Sequence, residues 1–325
     1  MKSPVSFVLG RVVHALIAVG CLANSAVAAD RYPVKPVRVI VATGAGGSDD
    51  FIARSVSAKL GEVLGQPFVV ENRPGAGGMI AQSSVAKSEP DGYTLLAAGG
   101  SMAGAHYVNA NMGYELLRDF QPISLLVTNP FSLLVNPALS VRNVKEFIDL
   151  ARSRPGKLTF ATLGAGQIPY WGALYLNTTS GIDALEVQYR NPSDMMTDII
   201  AGRVDYAIMG IFNAVTQKDK LRVLGVTSRA RSEMLPDVPA IAETLPTFDM
   251  PAWVSLMGPS GMRPDVVQVI NKAVVRSLAS PDLKERLTKA GYVATASTPE
   301  ELRKRYEDWV VIFGKIAKDA NIKPQ

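Results

Sequence analysis

The stretch VRVIVATGAGGSDDFIAR, residues 37–54, sets three glycines and two adjacent carboxylates between an apolar run and a helical pattern. The chemistry open to such a segment is anion binding by main-chain amides. Gly44, Gly46 and Gly47 let the chain turn sharply and approach a ligand closely. The helix expected from about Asp49 to Gly61 begins with free N–H groups and the positive end of its dipole. Nucleotide motifs fit poorly. A phosphate-binding P-loop needs a lysine that is absent here, and a dinucleotide fingerprint needs a third glycine where Asp49 stands. The plain alternative is a tight βα turn followed by a helix cap.

Few other residues offer chemistry. The chain of 325 residues has one cysteine, Cys21, and two histidines, His14 and His106. Lys2 and Arg11 flank the apolar stretch VVHALIAVGCLA (12–23), and NSAVAAD (24–30) supplies small residues before Asp30. That is the pattern of a secretory signal peptide over residues 1–29, cut after Ala28 or Ala29. AVGC (18–21) only loosely resembles a lipid-attachment site, because Ala18 stands where a larger aliphatic is usual, so Cys21 is not expected to anchor the protein. Export removes Cys21 and His14, leaving no thiol, no disulfide and a single histidine. A His–Cys metal cluster is excluded, any triad would have to recruit His106, and neither H-E-x-x-H nor G-x-S-x-G occurs. The expectation is a protein that is not an enzyme and uses no cofactor and no metal; a carboxylate-based site stays open. Without Lys2 and Arg11 the 34 basic residues fall to 32 against 29 acidic, a net of +3, too small and scattered for a nucleic-acid partner.

The elements that must hold this loop alternate. Strands are expected at 37–42, 67–72 and 93–99, with helices near 49–61 and 79–88, so a parallel α/β sheet forms. Its ligand loops, 43–49 and 99–104, lie beyond the strands' carboxyl ends. The apolar runs of 123–137 break at Asn129-Pro130, where the chain is expected to cross into a second lobe. That lobe reads as a helix opened by Asn143 with Glu146 closing the cap, strands at 156–162, 184–190, 204–210 and 221–228, and a helix at 192–203. WVSLMGP (253–259) is the return crossing; helices near 264–279 and from Thr298 follow. Lobe 1 is therefore 30–128 plus 252–325 and lobe 2 is 129–251, with a cleft between them suited to a small ligand.

VIVATGAGGSDDFIAR, LGQPFVVENRPGAGG, EPDGYTLL, NPALSVRNVKEFIDLARSRPGKLTFATLGAGQ and LPDVPAIAE, in that order, resemble the periplasmic solute-binding receptors of tripartite tricarboxylate transporters, the Bug or TctC-like family. The resemblance runs from about residue 32 to 322. It implies a type II periplasmic-binding fold, α/β with two lobes that close on a small carboxylate: a dicarboxylate, an amino acid or an aromatic carboxylate. It also implies a monomer in the periplasm, without cofactor, that meets membrane transporter subunits transiently.

By position, the resemblance assigns ligand contacts to Thr43, Gly46, Gly47, Ser48 and Asp49 in the first loop and to Ser101 and Met102 after the third strand. In the second lobe it assigns Thr162, Gly164, Ala165, Gly166 and Gln167, then Tyr189, and finally Phe212 and Asn213 in a last cleft loop. Local turn bonding is the alternative for Ser101, Thr162 and Asn213, and core packing for Met102 and Phe212. Asp50 matches the aspartate that opens the first helix and is assigned to capping. The chain departs from the family pattern at Asp49, an extra carboxylate beside the anion site, which must point away, be neutralised or meet a cationic part of the ligand; the last favours a ligand bearing an amine or amide over a bare tricarboxylate. Pro169-Tyr170-Trp171 replaces a more polar stretch; its rings either stack on a flat ligand or pack within a helix. Arg190 either pairs with a distal carboxylate or is a surface charge.

Overall fold

The computed structural model describes residues 32–164, 167–217 and 219–324. The expected signal peptide, and Ala165 and Gly166 of the expected site, lie outside the described residues. Residues 35–325 form one compact unit, and everything below concerns it.

β1 (Val37–Val41) is buried at every position except Arg38. The run is continuous because β1 is an inner strand, paired parallel with β2 (Phe68–Asn72) and β3 (Thr94–Gly99). α1 (Ser48–Leu64) and α2 (Met79–Ala86) are the crossovers. α1 stops at Gly65, whose left-handed conformation lets its N–H reach the Gly61 carbonyl at 2.9 Å. Past β3, a short 3-10 turn (Gly100–Gly104) and two single-turn helices, α3 (Ala105–Val108) and α4 (Leu116–Asp119), lead into β4 (Phe120–Asn129). β10 (Ala252–Pro259) returns antiparallel between β3 and β4, and β11 (Val293–Ala294) closes the edge, giving the order β11-β4-β10-β3-β1-β2.

A second sheet of five strands has the order β7-β6-β8-β5-β9. It comprises β5 (Phe131–Val135), β6 (Leu158–Thr162), β7 (Ala184–Gln188), β8 (Tyr206–Gly210) and β9 (Arg222–Val226). Its helices are α5 (Val144–Arg152), α6 (Ile168–Ser180), α7 (Pro192–Ile200) and α8 (Ile211–Thr216). Residues 211–214, expected as a loop, are thus the first turn of α8: the segment IFNAVT contains no helix breaker, and the Gln217 N–H closes on the Asn213 carbonyl at 3.0 Å. Three helices end the chain rather than the two expected: α9 (Pro264–Leu278), α10 (Pro281–Lys289) and α11 (Pro299–Asp319). α11 opens on a full capping box, Thr298 Oγ1 accepting from Glu301 N–H at 3.1 Å and Glu301 Oε2 accepting from Thr298 N–H at 2.8 Å.

The chain passes between the sheets at Asn129-Pro130-Phe131 and again between β9 and β10. The two passages are bonded side by side. Phe131 N–H donates to Thr227 Oγ1 at 2.9 Å, Thr227 N–H donates to the Phe131 carbonyl at 2.8 Å, and Met250 N–H donates to the Thr227 carbonyl at 2.9 Å. A buried aromatic chain also joins the halves. Trp171 of α6 stacks on Phe313 of α11 at 4.5 Å, Phe313 meets Trp309 at 5.2 Å, and Trp309 meets Trp253 of β10 at 5.1 Å. Gly104 must be small here, because a Cβ would lie 2.6 Å from the Phe313 ring and 2.8 Å from the Trp171 ring. Among the described residues no helix is long and apolar enough to cross a membrane.

Candidate functional site

The strand order decides where the loops meet. β1 and β3 run parallel, so their carboxyl ends share one edge of the first sheet; Gly99 of β3 lies opposite Val254 of β10, and Asn129 ends β4 opposite Ala252. In the second sheet Phe131 begins β5 beside Gly210, the end of β8, and β6 runs parallel to β8. Because only Pro130 separates Asn129 from Phe131, the two edges face each other across that crossing. A cavity of about 110 Å³ lies there.

The first sheet contributes Ser48, Asp49, Gly99, Gly100, Ser101 and Tyr292 to its wall; the second side contributes Gln167, Ile168 and Pro169; Asn129, Phe131, Ala252 and Trp253 close it at the crossings. Two helix starts point into this space, since Ser48–Asp49 opens α1 and Gln167 is the cap position of α6. Their first amides have no carbonyl partner within the helix. Gly100 is required by a close approach: a Cβ there would lie 2.5 Å from the Trp253 indole.

Asp49 and Asp50 are neighbours in sequence with opposite environments. Asp50 is 4% exposed and fully engaged. Its Oδ2 accepts from Gly46 N–H at 2.9 Å, and its Oδ1 accepts from Arg54 Nε at 2.9 Å and Asn72 Nδ2 at 2.8 Å. Asn72 also donates to the Thr43 carbonyl at 3.0 Å. Burial alone would raise the pKa of Asp50, but these hydrogen bonds and the Arg54 charge outweigh it and hold the pKa below its ordinary value. Asp50 therefore fastens the glycine loop from inside the first turn, while the cap position itself is Gly47. Gly46, at φ +82°, is where that loop needs glycine.

Asp49 faces the cavity. Among the described residues its only hydrogen bond is a long one, from Ser48 Oγ at 3.4 Å. Burial pushes its pKa up to about 6, and the Ser48 hydroxyl opposes that rise. Tyr292 stands beside it, bonded to Ser48 and stacked at 6.1 Å on Phe51; burial, then the Asp49 charge, raise its phenol above the ordinary value. Asp49 Oδ2 and Ser101 Oγ lie 3.8 Å and 4.0 Å from where a Gly99 Cβ would be, so both crowd the end of β3.

Of the expected residues, Ser48, Asp49, Ser101 and Gln167 come together in this wall. Thr43, Gly46 and Gly47 lie behind it and shape the loop: the Thr43 hydroxyl is buried without a partner and fills the space beside Gly47. Met102 is 2% exposed and sits in the core. The Thr162 hydroxyl is turned to Glu186 and accepts from Gly164 N–H at 3.2 Å, a local turn bond. Gly164, at φ +95°, belongs to that turn. The Tyr189 hydroxyl donates to Asp198 Oδ2 at 2.7 Å, and burial, then that carboxylate, push its pKa up to about 12. Phe212 is half exposed and Asn213 lies on α8; neither lines the cavity. Tyr170 and Trp171 pack inside α6 and Arg190 is exposed. Tyr292 and Asn129 were not foreseen. Only the Asn129-Pro130 break hinted at the second, and no local pattern marks the first.

A larger depression, about 860 Å³, lies elsewhere, lined by Met102, His106, Tyr114 and Arg118. His106 packs on Tyr107 with ring centres 3.7 Å apart, and burial lowers its pKa. Among the described residues no His/Cys/Asp/Glu cluster suited to a metal occurs.

The model of the family described as "Tripartite tricarboxylate transporter family receptor" matches residues 52–322. The chain belongs to that family. The receptor is 35% identical over 304 residues to a UPF0065 protein in the tcbD-tcbE intergenic region of Pseudomonas sp. strain P51, covering 90% of this chain and 89% of that one. It is 30% identical to protein BugT of Bordetella pertussis over 302 residues, 91% of this chain and 93% of that one. Among solved structures it is similar to R. palustris Rpa4515 with adipate, at 30% identity and a TM-score of 0.76, covering 90% of this chain and all of that one. It is also similar to MatC of Rhodopseudomonas palustris with bound malate, at 30% identity and a TM-score of 0.73, covering 88% and 100%. The fold is the two-lobed periplasmic-binding type, as in the periplasmic binding protein BugD, at a TM-score of 0.74.

Proposed function

We propose that this receptor captures a small carboxylate in the cavity between its two sheets and delivers it to a membrane transporter of the tripartite tricarboxylate type. The reading rests on one observation: two helix starts, at Ser48 and Gln167, converge with Ser101 and Asn129 on a small cavity at the strand ends. Amides at helix starts suit a carboxylate, and a narrow, water-poor cleft strengthens each bond. The adipate and malate carried by its structural neighbours agree with that chemistry. Ser48, Asp49, Ser101 and Gln167, with Asn129 and Tyr292 added, are the proposed contacts, and the lobes are 30–128 plus 252–325 and 129–251. Closure of the lobes signals occupancy to the membrane subunits, and the ligand leaves unmodified. The mature protein acts in the periplasm after residues 1–29 are removed.

Native mass spectrometry of the purified protein, followed by a thermal-shift panel of carboxylates, tests this. A ligand present at 100 times its Kd stabilises the fold by about 2.7 kcal/mol. A panel of mono-, di- and aromatic carboxylates in which none shifts the melting curve, with no retained small molecule, refutes it; turnover of any bound compound refutes the receptor role.

A further inference from the structure

We propose that Asp49 makes this cavity select zwitterionic ligands, seating an ammonium group against its carboxylate while the convergent amides hold the ligand's own carboxylate. The inference rests on the proposed receptor function and deepens it.

Among the described residues the wall of the cavity holds one carboxylate and no cationic side chain: no lysine, arginine or histidine lines it. Asp50 is neutralised by Arg54, but among the described residues no such partner reaches Asp49, which takes the long hydrogen bond from Ser48. The titratable groups within electrostatic reach from neighbouring elements are Tyr292, ahead of β11, and Tyr306 on α11, and both phenols are held neutral. Asp49 therefore presents unused acceptor capacity to the cavity. A bare dicarboxylate would bring two negative charges into about 110 Å³ that already holds one. Its binding would require Asp49 to take up a proton. An ammonium group reverses the balance, because it supplies donors to Asp49 and cancels its charge. The volume agrees with a compact head group, being below the roughly 150 Å³ that admits benzene.

The two ligand types therefore exchange protons in opposite directions. Asp49 titrates near pH 6, so around that pH an ammonium-bearing ligand expels a proton from the cavity and a bare dicarboxylate draws one in. Affinity for the first falls as pH drops below about 6, and affinity for the second rises.

The test is isothermal titration calorimetry of the purified full-length mature protein at pH 6.0 in two buffers of different ionisation enthalpy. Matched pairs serve as probes: L-aspartate against malate, and 2-aminoadipate against adipate. Expected is at least tenfold tighter binding of the amino member of the pair that binds, with net proton release, and loss or reversal of that preference in Asp49→Thr, which keeps a small polar side chain at the helix start. Asp49→Asn, nearly isosteric, abolishes the proton exchange. Preference of the native protein for the bare dicarboxylate, or a pair ratio unchanged in Asp49→Thr, overturns the assignment and leaves the receptor function standing. Failure of every member of both pairs to bind either protein overturns the zwitterion assignment; the broader carboxylate panel then decides the receptor function separately.

Discussion

Replacing Asp49 by asparagine should stabilise the empty protein at neutral pH and do little in acid. The folded pKa rises from 3.8 to about 6 because the cleft strips water from the carboxylate. At roughly 1.4 kcal/mol per pKa unit, the ionised side chain costs the folded state about 3 kcal/mol. The side chain keeps some contact with solvent, so about 2–3 kcal/mol is the working figure. A folded pKa above the unfolded one means that stability is full below about pH 4 and is lost as pH rises through about 6. Asparagine does not titrate. The stability gap between Asp49→Asn and the native protein should therefore widen by about 2–3 kcal/mol between pH 4 and pH 7.5. Urea denaturation of both proteins at a series of pH values, without ligand, measures it. A gap that stays constant to within about 0.5 kcal/mol would refute the reasoning, because Asp49 would then be as well solvated folded as unfolded.

Asp50 carries the opposite sign. Asp50→Ala strips acceptors from Gly46, Arg54 and Asn72 and should cost about 2–4 kcal/mol at pH 7, discounted because Arg54 is half exposed. With its folded pKa lowered, the contribution of Asp50 is complete above the ordinary carboxylate range and fades as pH falls through its depressed pKa, so the cost of the substitution should shrink in acid unfolding curves. Gly104→Ala should cost about 1–3 kcal/mol by forcing Phe313 and Trp171 apart, read from urea midpoints; a change under about 0.5 kcal/mol would mean the aromatic contact yields freely.

The fold was largely legible because its signals are local. β1 is a continuous β-branched run, Asn143 and Thr298 are read as caps from the glutamates three residues on, and Asn129-Pro130 breaks two apolar strands where the chain changes sheets. α10 was passed over because PDLKERLTK is mostly polar and buries only Leu283 and Leu287. The wall of the candidate cavity was legible at Ser48, Asp49, Ser101 and Gln167, which follow strand ends, whereas Thr43, Gly46 and Gly47 only shape the loop behind it. Tyr292 was not: it reaches the cleft only because β11 pairs with β4, and a two-residue strand leaves no periodicity to read. Thr162 and Tyr189 fall at the expected strand ends, but their hydroxyls are taken by Glu186 and Asp198, pairings set by tertiary packing rather than spacing.

The paired passages at Phe131 and Thr227 have a mechanical consequence. Two tethers fixed to each other by two bonds between Phe131 and Thr227, and braced by the Met250–Thr227 bond, act as a single axle, leaving swing about that line as the low-cost motion while sliding and twisting strain the bonds. The cavity abuts the axle, since Phe131 and Asn129 belong to its wall. A small angular change there is magnified at the far rims of both halves, where, on the proposed function, a membrane partner would sense it.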